Sequence, residues 1–494
     1  MKISKYISLA LVALCATSCS ESVMDNINKN EGNPSASVVS SKFVITSAIT
    51  NLGFNTISGD YAFYTSSYTE QIFGTGSLQL ANAEIRNASE TAASSTFNNT
   101  WNDTYSTLRS LREVLDKCAD GGLDAGKHDV KGVGEVLYAL TSGILTDMHG
   151  DIPYSEAVAG NTHLNPKVDK QEAIYDSIFA LLDDAAVNLQ TAVANRESNI
   201  GSQDFLFSGD NSQWLGFAYA LKARYKLHTQ FRNSGAVAEA LALAQKAVEA
   251  GFDGAELDVF DNDNNNNPWT AFFWSREYSG SSKTVTDLFT ERNDPRNTVY
   301  TCNFFGYEEP GTPGNRDQAF NQECTAAPSW LNNGACPIHF FSKSELYFII
   351  AECQARLGQD ASAAFKTAVE ASFADYEVAD GGQTGFSAAT ADEYIATRPV
   401  TLKEILVQKY LAQARDEQVE TYNDVRRFKA LGEEYVKFTN SHNGTSASNA
   451  WPLRLPYGNS DVVSNPNVRD AFGTGNDAGN YIFTENVWWA GGSR

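Results

Sequence analysis

The feature that most constrains the fold is a series of apolar stripes in which large apolar residues recur every three or four positions. Residues at this spacing lie on one face of an α-helix and are buried together against a neighbouring element. The stripes are long and follow one another through the first half of the chain. They occupy 101–118, 133–148, 174–189 and 214–228. The pattern predicts a mainly α-helical body.

Further segments predict that these helices pack in pairs. An alanine-rich stretch at 237–250 ends at Gly251, and a stripe at 346–357 ends before Gly358 and is followed at once by a second helix, 361–373. Small residues every three or four positions let two helices approach closely, and helix–turn–helix units of this kind resemble tetratricopeptide repeats. Asp169 and Glu172, just before the third stripe, are placed like a capping box.

Three stretches lack the helical period and predict loop-rich insertions. They cover 59–95, 252–341 and 440–494 within what we interpret as a single domain, 42–494. Long irregular segments inside a compact protein are usually functional. We therefore expect the binding chemistry in these three insertions.

The N-terminus predicts export. Lys2 and Lys5 precede a short apolar stretch, 6–13, and small residues lead to Cys19. The apolar run is too short to span a bilayer, so residues 1–18 are interpreted as a lipoprotein signal peptide and Cys19 as the lipidated N-terminus. Cys15 is a rival site, and an ordinary secretory signal with a chance cysteine is the alternative. Residues 19–41, rich in Ser, Asn and Gly, predict a flexible tether.

Charge and motifs argue against nucleic-acid binding and against catalysis. The chain has 60 acidic and 37 basic residues and a formal net charge of −23, which disfavours a polyanionic partner. Its six histidines show no metal-ligand spacing, and neither a nucleophile elbow nor a phosphate loop is present in the sequence. His228 falls on an apolar stripe, which favours a satisfied core histidine. We predict no catalytic residues and no cofactor.

Aromatic residues in the predicted loops are the sharpest binding signal. Flat rings stack on the apolar C–H faces of sugars, while nearby amides and carboxylates bind the hydroxyls. A role in the core is the equally weighted alternative for each ring. The candidates are Tyr61, Tyr64, Tyr68, Trp269, Trp274, Tyr278 and Trp330.

A polar loop at 261–267 resembles part of a calcium-binding loop. Asp261, Asp263 and Asn265 place oxygen ligands at alternate positions. Asn266 and Phe272 stand where such a loop needs a glycine and a bidentate glutamate. We therefore favour a solvated polar loop and keep a structural calcium ion as the alternative.

The cysteines divide into two groups. Cys118 and Cys353 fall on apolar helical faces and are interpreted as core residues. Cys302, Cys324 and Cys336 lie in loop-like sequence, where one pair is able to form a disulfide in an oxidising compartment. Three residues cannot all pair with one another, so the connectivity stays open.

A set of ordered motifs resembles the SusD/RagB outer-membrane lipoproteins, specifically the SusD-like branch described as starch-binding and associated with the outer membrane. The resemblance covers nearly the whole mature chain, and the order of the motifs is more specific than any single one. The matching segments are Asp25-Asn26-Ile27-Asn28 with Asn33-Pro34, 147–157, Asn293-Asp294-Pro295-Arg296 with Tyr300, 345–348 with 351–352, 405–410, 424–427, 453–457 and Val487-Trp488-Trp489.

The chain departs from the family pattern at three places. Tyr410 stands where a Trp is usual, Phe428-Lys429-Ala430 replaces a Gly-Tyr-Pro ending, and Gly458 replaces a Pro. The resemblance also implies that 147–157 is scaffold, although Asp147 and Asp151 look like an acid–base pair. The closing tryptophans are likewise implied to be structural.

The resemblance implies a fold and a function. The fold would be a helical scaffold of tetratricopeptide-like pairs with a loop-rich, ligand-binding half. The protein would sit, anchored by its lipid on the outer face of the outer membrane, as a lid on a SusC-like TonB-dependent transporter and deliver an oligosaccharide to it. The same architecture with peptide cargo, or a surface glycan hydrolase, remain the alternatives. Ligand contacts vary within the family, so none is carried over to this chain.

Overall fold

The structure of the protein is a computed structural model that describes residues 39–76, 79–276, 279–303, 306–321, 325–446 and 449–493. Residues 41–494 group as one compact unit. The predicted signal peptide, Cys19 and nearly all of the predicted tether lie outside the described residues, and so do Tyr278 and Cys324.

The described residues fold mainly as α-helices, which confirms the predicted fold class. In chain order the helices are α1 (Ser41–Asn51), α2 (Asp60–Tyr68), α3 (Gln79–Glu84), α4 (Ala88–Thr91), α5 (Asn98–Cys118), α6 (His128–His149), α7 (Gln171–Asn195), α8 (Asn211–His228), α9 (Ala236–Glu249), α10 (Pro268–Arg276), α11 (Lys283–Arg292), α12 (Asn297–Tyr300), α13 (Arg316–Phe320), α14 (Lys343–Arg356), α15 (Ser362–Ala379), α16 (Ala388–Ile395), α17 (Leu402–Gln413), α18 (Gln418–Ala430), α19 (Asn459–Ser464) and α20 (Pro466–Phe472).

The strands are short and pair two by two, always antiparallel. The pairs are β1 (Ile72–Gly74) with β5 (Ser279–Ser281), β2 (Ile152–Pro153) with β3 (Val168–Asp169), β4 (Ala255–Leu257) with β6 (Ile338–Phe341), and β7 (Thr445–Ser446) with β8 (Asn449–Ala450). Each pair ties together segments that are distant along the chain or that flank a loop.

Consecutive long helices pack against one another, as the stripes predict. Helix α5 packs on α6, α6 on α7, α7 on α8 and α8 on α9, and the later pair α14 and α15 continues from α9. Gly132 of α6 lies against Leu189 of α7, and Gly143 lies directly under the ring of Tyr225 of α8. A side chain at either glycine would overlap its neighbour, so small residues set the close approach of these helices.

The predicted capping box at the start of α7 is wrong. The helix begins at Gln171 after Lys170, which makes no side-chain cap. Asp169 instead belongs to β3, where its carboxylate accepts the backbone N–H groups of Tyr154 and Ser155. Asp169 therefore pairs within the β2–β3 strands and does not cap α7.

The insertions predicted as irregular contain helices. Helix α2 lies in 59–95, α10 to α13 lie in 252–341, and α19 and α20 lie in 440–494. In α2, eight of nine residues are buried. A helix that is surrounded on nearly all sides loses the polar face that makes its period visible in the sequence.

One continuous apolar cluster runs through the described residues, and a small second cluster of Phe73, Ala81 and Ala319 lies beside β1. Cys118 and Cys353 are buried in the large cluster, as predicted. Among the described residues, none of the helices combines the length and the apolar character that a membrane crossing requires.

Candidate functional site

Segments from four distant parts of the chain meet around β1 and β5. Ile72 pairs with Ser281, whose N–H donates to Ala326 O (2.7 Å) and whose carbonyl accepts from Gly311 N (2.8 Å). Thr75 also donates to the carbonyl of Gln318. We call the residues 72–76, 279–282, 309–321, 325–327 and 439–446 the loop-rich side.

A buried carboxylate, Glu84 at the end of α3, holds three of these segments together. Its oxygens accept the backbone N–H groups of Gly74 (3.0 Å) and Gly314 (2.9 Å) and the side-chain N–H of Asn440 (3.1 Å). Burial raises the pKa of Glu84 above its ordinary value, against the opposing charge of Arg86 and the hydrogen bonds it accepts. Several donors on one carboxylate fix the loops in a single arrangement.

Two further charged residues of this cluster, Glu70 and Arg86, are buried, and their backbone is in the left-handed region, with φ of 54° and 52°. Glu70 accepts the N–H groups of Thr439 (2.9 Å) and Asn440 (2.8 Å), and Arg86 donates to Asn443 (2.8 Å). Left-handed backbone is strained for residues with a Cβ and persists where the surroundings determine it fully. Glu70, Glu84 and Arg86, here named the loop clamp, therefore position the loop-rich side.

Helix α10 leads into β5 and carries an exposed aromatic ring, Trp274. Phe63 stacks on Phe272 (centroids 4.2 Å apart) and meets Trp269 edge to face (4.6 Å), so one side of α10 is anchored in the core. Thr270 adds hydrogen bonds to the carbonyls of Trp330 and Asn333. Trp274, on the opposite side, is 50% exposed.

Five of the seven predicted aromatic candidates are core residues, and this corrects their interpretation as ligand platforms. A ring without an accessible face is unable to stack on a sugar. The five are Tyr61 (0% exposed), Tyr64 (2%), Tyr68 (0%), Trp269 (3%) and Trp330 (3%). Trp274 is half exposed and meets the ring of Phe273 edge to face (centroids 5.7 Å apart), and Tyr278 lies outside the described residues.

The polar loop that precedes α10 is held by its own backbone. Asp261 Oδ1 accepts the N–H groups of Asp263 (2.7 Å) and Asn265 (3.1 Å), which is an Asx-type turn. The chain described by the structure contains no group of three His, Cys, Asp or Glu arranged to hold a metal. Calcium binding by Asp261, Asp263 and Asn265 therefore stays a prediction. Asn262 and Asn264 are exposed, so the loop presents amides at the start of α10.

Cys302 and Cys336 are both free thiols, so they do not form the disulfide that is one of the three predicted pairings. Each pairing with Cys324 lies outside the described residues.

A cleft of about 510 Å³ is lined by two carboxyl groups, those of Glu256 and Asp375, and such a pair is also the catalytic group of many glycoside hydrolases. Glu256 and Asp375 both face Nε2 of His339, at 3.0 and 3.7 Å. Burial favours the neutral imidazole, but Asp375, with Asp416 and Glu256, outweighs burial and raises the pKa of His339 to about 10. The imidazolium therefore lies between the two carboxyl groups, and burial raises the pKa of Asp375 above its ordinary value.

The resemblance implies that the segment 147–157 is scaffold, and the surroundings of Asp147 agree with that prediction. Asp147 is buried and accepts hydrogen bonds from the indole of Trp489 (2.8 Å) and the hydroxyl of Tyr175 (2.5 Å). His228 is a satisfied core histidine: its ring nitrogens contact Tyr175 (3.0 Å) and Glu420 (2.8 Å). Trp489 is fully buried beside them.

The fold and the site define a class of protein: a tetratricopeptide-like helical scaffold whose distant loops are clamped into one side. The chain belongs to the SusD-like family, described as starch-binding and associating with the outer membrane, whose model matches residues 34–458. Comparison with curated proteins gives no significant match.

Solved structures agree with this assignment. A SusD/RagB family protein from Bacteroides thetaiotaomicron is 34% identical, with a TM-score of 0.82 over 92% of this chain and 100% of that chain. A SusD homolog from Bacteroides fragilis is 18% identical (TM-score 0.70; 92% and 100% covered). A chitin-binding SusD homolog from Flavobacterium johnsoniae is 19% identical (TM-score 0.68; 90% and 98% covered). The last two likenesses concern the fold alone.

Proposed function

We propose that the protein captures an oligosaccharide at the cell surface and delivers it to a partner SusC-like TonB-dependent transporter, without catalysis. Membership of a starch-binding, outer-membrane-associated family is the observation that carries the proposal. A lipid on Cys19 and a tether at 19–41 would keep the protein attached while it moves as a lid.

Trp274 is the residue we propose as the glycan platform. Its indole is half exposed on a helix that is otherwise anchored in the core, so little side-chain or backbone freedom is lost when a sugar stacks on it. The exposed amides of Asn262 and Asn264 stand before the same helix and offer hydrogen-bond partners for hydroxyl groups.

The nature of the cargo is tested by titrating the purified mature protein with soluble glycans and, in parallel, with peptide mixtures. We expect saturable binding of at least one α- or β-glucan or related oligosaccharide and no binding of peptides. Binding of peptides alone would contradict the sugar assignment. New reducing ends after prolonged incubation with the bound glycan would contradict the non-catalytic part of the proposal.

The transporter is tested separately by affinity purification of the full-length lipoprotein from detergent-solubilised outer membranes. We expect a TonB-dependent transporter encoded beside the gene to co-purify. A matched Cys19→Ser variant, which is unable to carry the lipid, is expected to leave the membrane fraction. Recovery of the lipoprotein alone, with no transporter gene adjacent, would overturn the lid proposal.

A further inference from the structure

A small apolar pocket opens between α17, α18 and the segment 433–438. Its walls are aliphatic and aromatic side chains, and its free interior volume is about 40 Å³. Because roughly 10–15 Å³ of such volume holds one water, the pocket has space for about three water-sized groups, or a chain of about three or four carbons. The apolar walls are Leu406, Tyr410, Val425, Phe428, Val436 and Phe438.

The pocket lies where this chain departs from the family pattern. Tyr410, in place of the usual Trp, and Phe428 and Lys429, in place of the usual Gly-Tyr, all line it. These departures fall in a part of the molecule that the resemblance treats as scaffold.

Lys429 is the basic residue among those that line the pocket. Its ammonium lies 3.6 Å from the ring centre of Trp451, and within the described chain it has no carboxylate at ion-pairing distance. The side chain is partly open to solvent, yet burial of the ammonium, followed by repulsion from Arg86, lowers the pKa of Lys429 to about 8. A negatively charged group beside it would relieve this electrostatic cost.

Two of the three carboxylates that line the pocket are already neutralised. Asp424 is bound by Lys409 (2.6 Å) and Arg427 (2.7 Å), and Glu433 is bound by Arg356 (2.8 Å). They therefore do not compete for Lys429.

The third, Glu434, is exposed and opposes an incoming anion through its own charge. Removing that charge is accordingly expected to strengthen anion binding.

We propose that this pocket binds a short aliphatic monocarboxylate, with the hydrocarbon chain among the apolar walls and the carboxylate against Lys429. The site is separate from Trp274 and does not depend on glycan binding. An uncharged apolar side chain of another protein would fill the walls but bring no negative charge to Lys429, so charge complementarity favours the carboxylate.

The test uses butyrate as the probe, with butyramide as its uncharged isostere, titrated into isotopically labelled mature protein and followed by NMR. We expect saturable shifts with a millimolar Kd for butyrate, as befits a ligand of six heavy atoms, and at least tenfold weaker binding of butyramide. Equal binding of the two probes, or no saturable shift with butyrate, would overturn the proposal.

Variants locate the site. Lys429→Met is expected to weaken butyrate binding at least tenfold, Glu434→Gln to strengthen it, and Lys437→Met, a neighbouring exposed lysine that does not line the pocket, to leave it unchanged. Val436→Phe fills the cavity and should abolish binding. Unchanged affinity in Lys429→Met, or binding that survives in a folded Val436→Phe, would contradict the proposal. If Val436→Phe does not fold, the affinity of Lys429→Met for butyrate and the affinity of the wild type for butyramide test the proposal instead.

Discussion

At the scale of single residues, the interior of this protein contains buried charges that lie against charges of opposite sign. His228 lies between Asp147 and Glu420 and has almost no exposed surface. Burial alone would lower the pKa of His228, but the charges of Glu420 and Asp147 outweigh it and raise the pKa to about 9. The imidazolium therefore stays charged in the folded protein at neutral pH.

This predicts a pH-dependent stability. The folded pKa is above the unfolded value near 6.5, so the contribution of His228 is complete below about pH 6.5 and is lost as the pH rises towards 9. His228→Gln should lower the free energy of unfolding at pH 6 by about 3–5 kcal/mol, because Glu420 loses its nearest cationic partner, and the loss should shrink by pH 9.5. Urea unfolding at both pH values measures the difference. The exposed His163→Gln is the control, expected within about 0.5 kcal/mol of the wild type; a pH-independent deficit in His228→Gln would contradict the assignment.

At the scale of elements, the helices approach through small residues and the loops are held by the loop clamp. Close helix pairing through small residues was predicted for 237–250 and 346–373, whereas the glycines of α6 that serve the same purpose were not singled out. The loop clamp was not predicted from the sequence, because Glu70, Glu84 and Asn440 are up to 370 residues apart and form no local sequence pattern. Sequence periodicity reports which face of an element is buried, whereas a buried polar network depends on partners that only the tertiary fold brings together.

Gly143→Ala tests the helix packing. The added methyl group would overlap the ring of Tyr225 and push α6 and α8 apart. Overpacking of this kind costs about 1–3 kcal/mol, which chemical denaturation resolves. Ser177→Ala, at an exposed position of α7, serves as the matched control and should be nearly neutral. Unchanged stability in Gly143→Ala would show that the two helices are not in close contact.

Glu84→Gln tests the loop clamp. The substitution keeps the shape of the Glu84 side chain but replaces its carboxylate by an amide. The carboxylate accepts hydrogen bonds from Gly74, Gly314 and Asn440 and lies near the charge of Arg86. We expect faster amide hydrogen exchange at 309–321 and 439–446, with α6 to α8 unchanged. Glu113→Gln, which breaks a half-exposed pair on α5, should change neither region. Equal amide hydrogen exchange at 309–321 and 439–446 in the wild type and Glu84→Gln would show that Glu84 does not hold these loops in place.

At the scale of the whole molecule, the helical body and the family were predictable from the sequence, but the ligand-facing surface was not. The stripes at 101–118 and 133–148 lie within α5 and α6 and end within one residue of them, although the helices begin three and five residues earlier. Tyr61, Tyr64 and Tyr68 were misplaced because α2 is buried all round and therefore shows no helical period. Trp274 and Trp269 lie five residues apart in similar sequence, yet only packing against Phe63 decides which of them is buried.

The central claim, capture of an oligosaccharide through Trp274 of α10, is tested most directly by isothermal titration of soluble glycans into the mature protein and its Trp274→Ala variant. The account predicts saturable binding by the wild type and a loss of about tenfold in affinity in Trp274→Ala, about 1.4 kcal/mol, within the range of one aromatic contact. Phe43→Ala, an equally exposed aromatic on α1, should bind as the wild type does. Wild-type affinity in Trp274→Ala, or no glycan bound by any of the three proteins, would contradict the account.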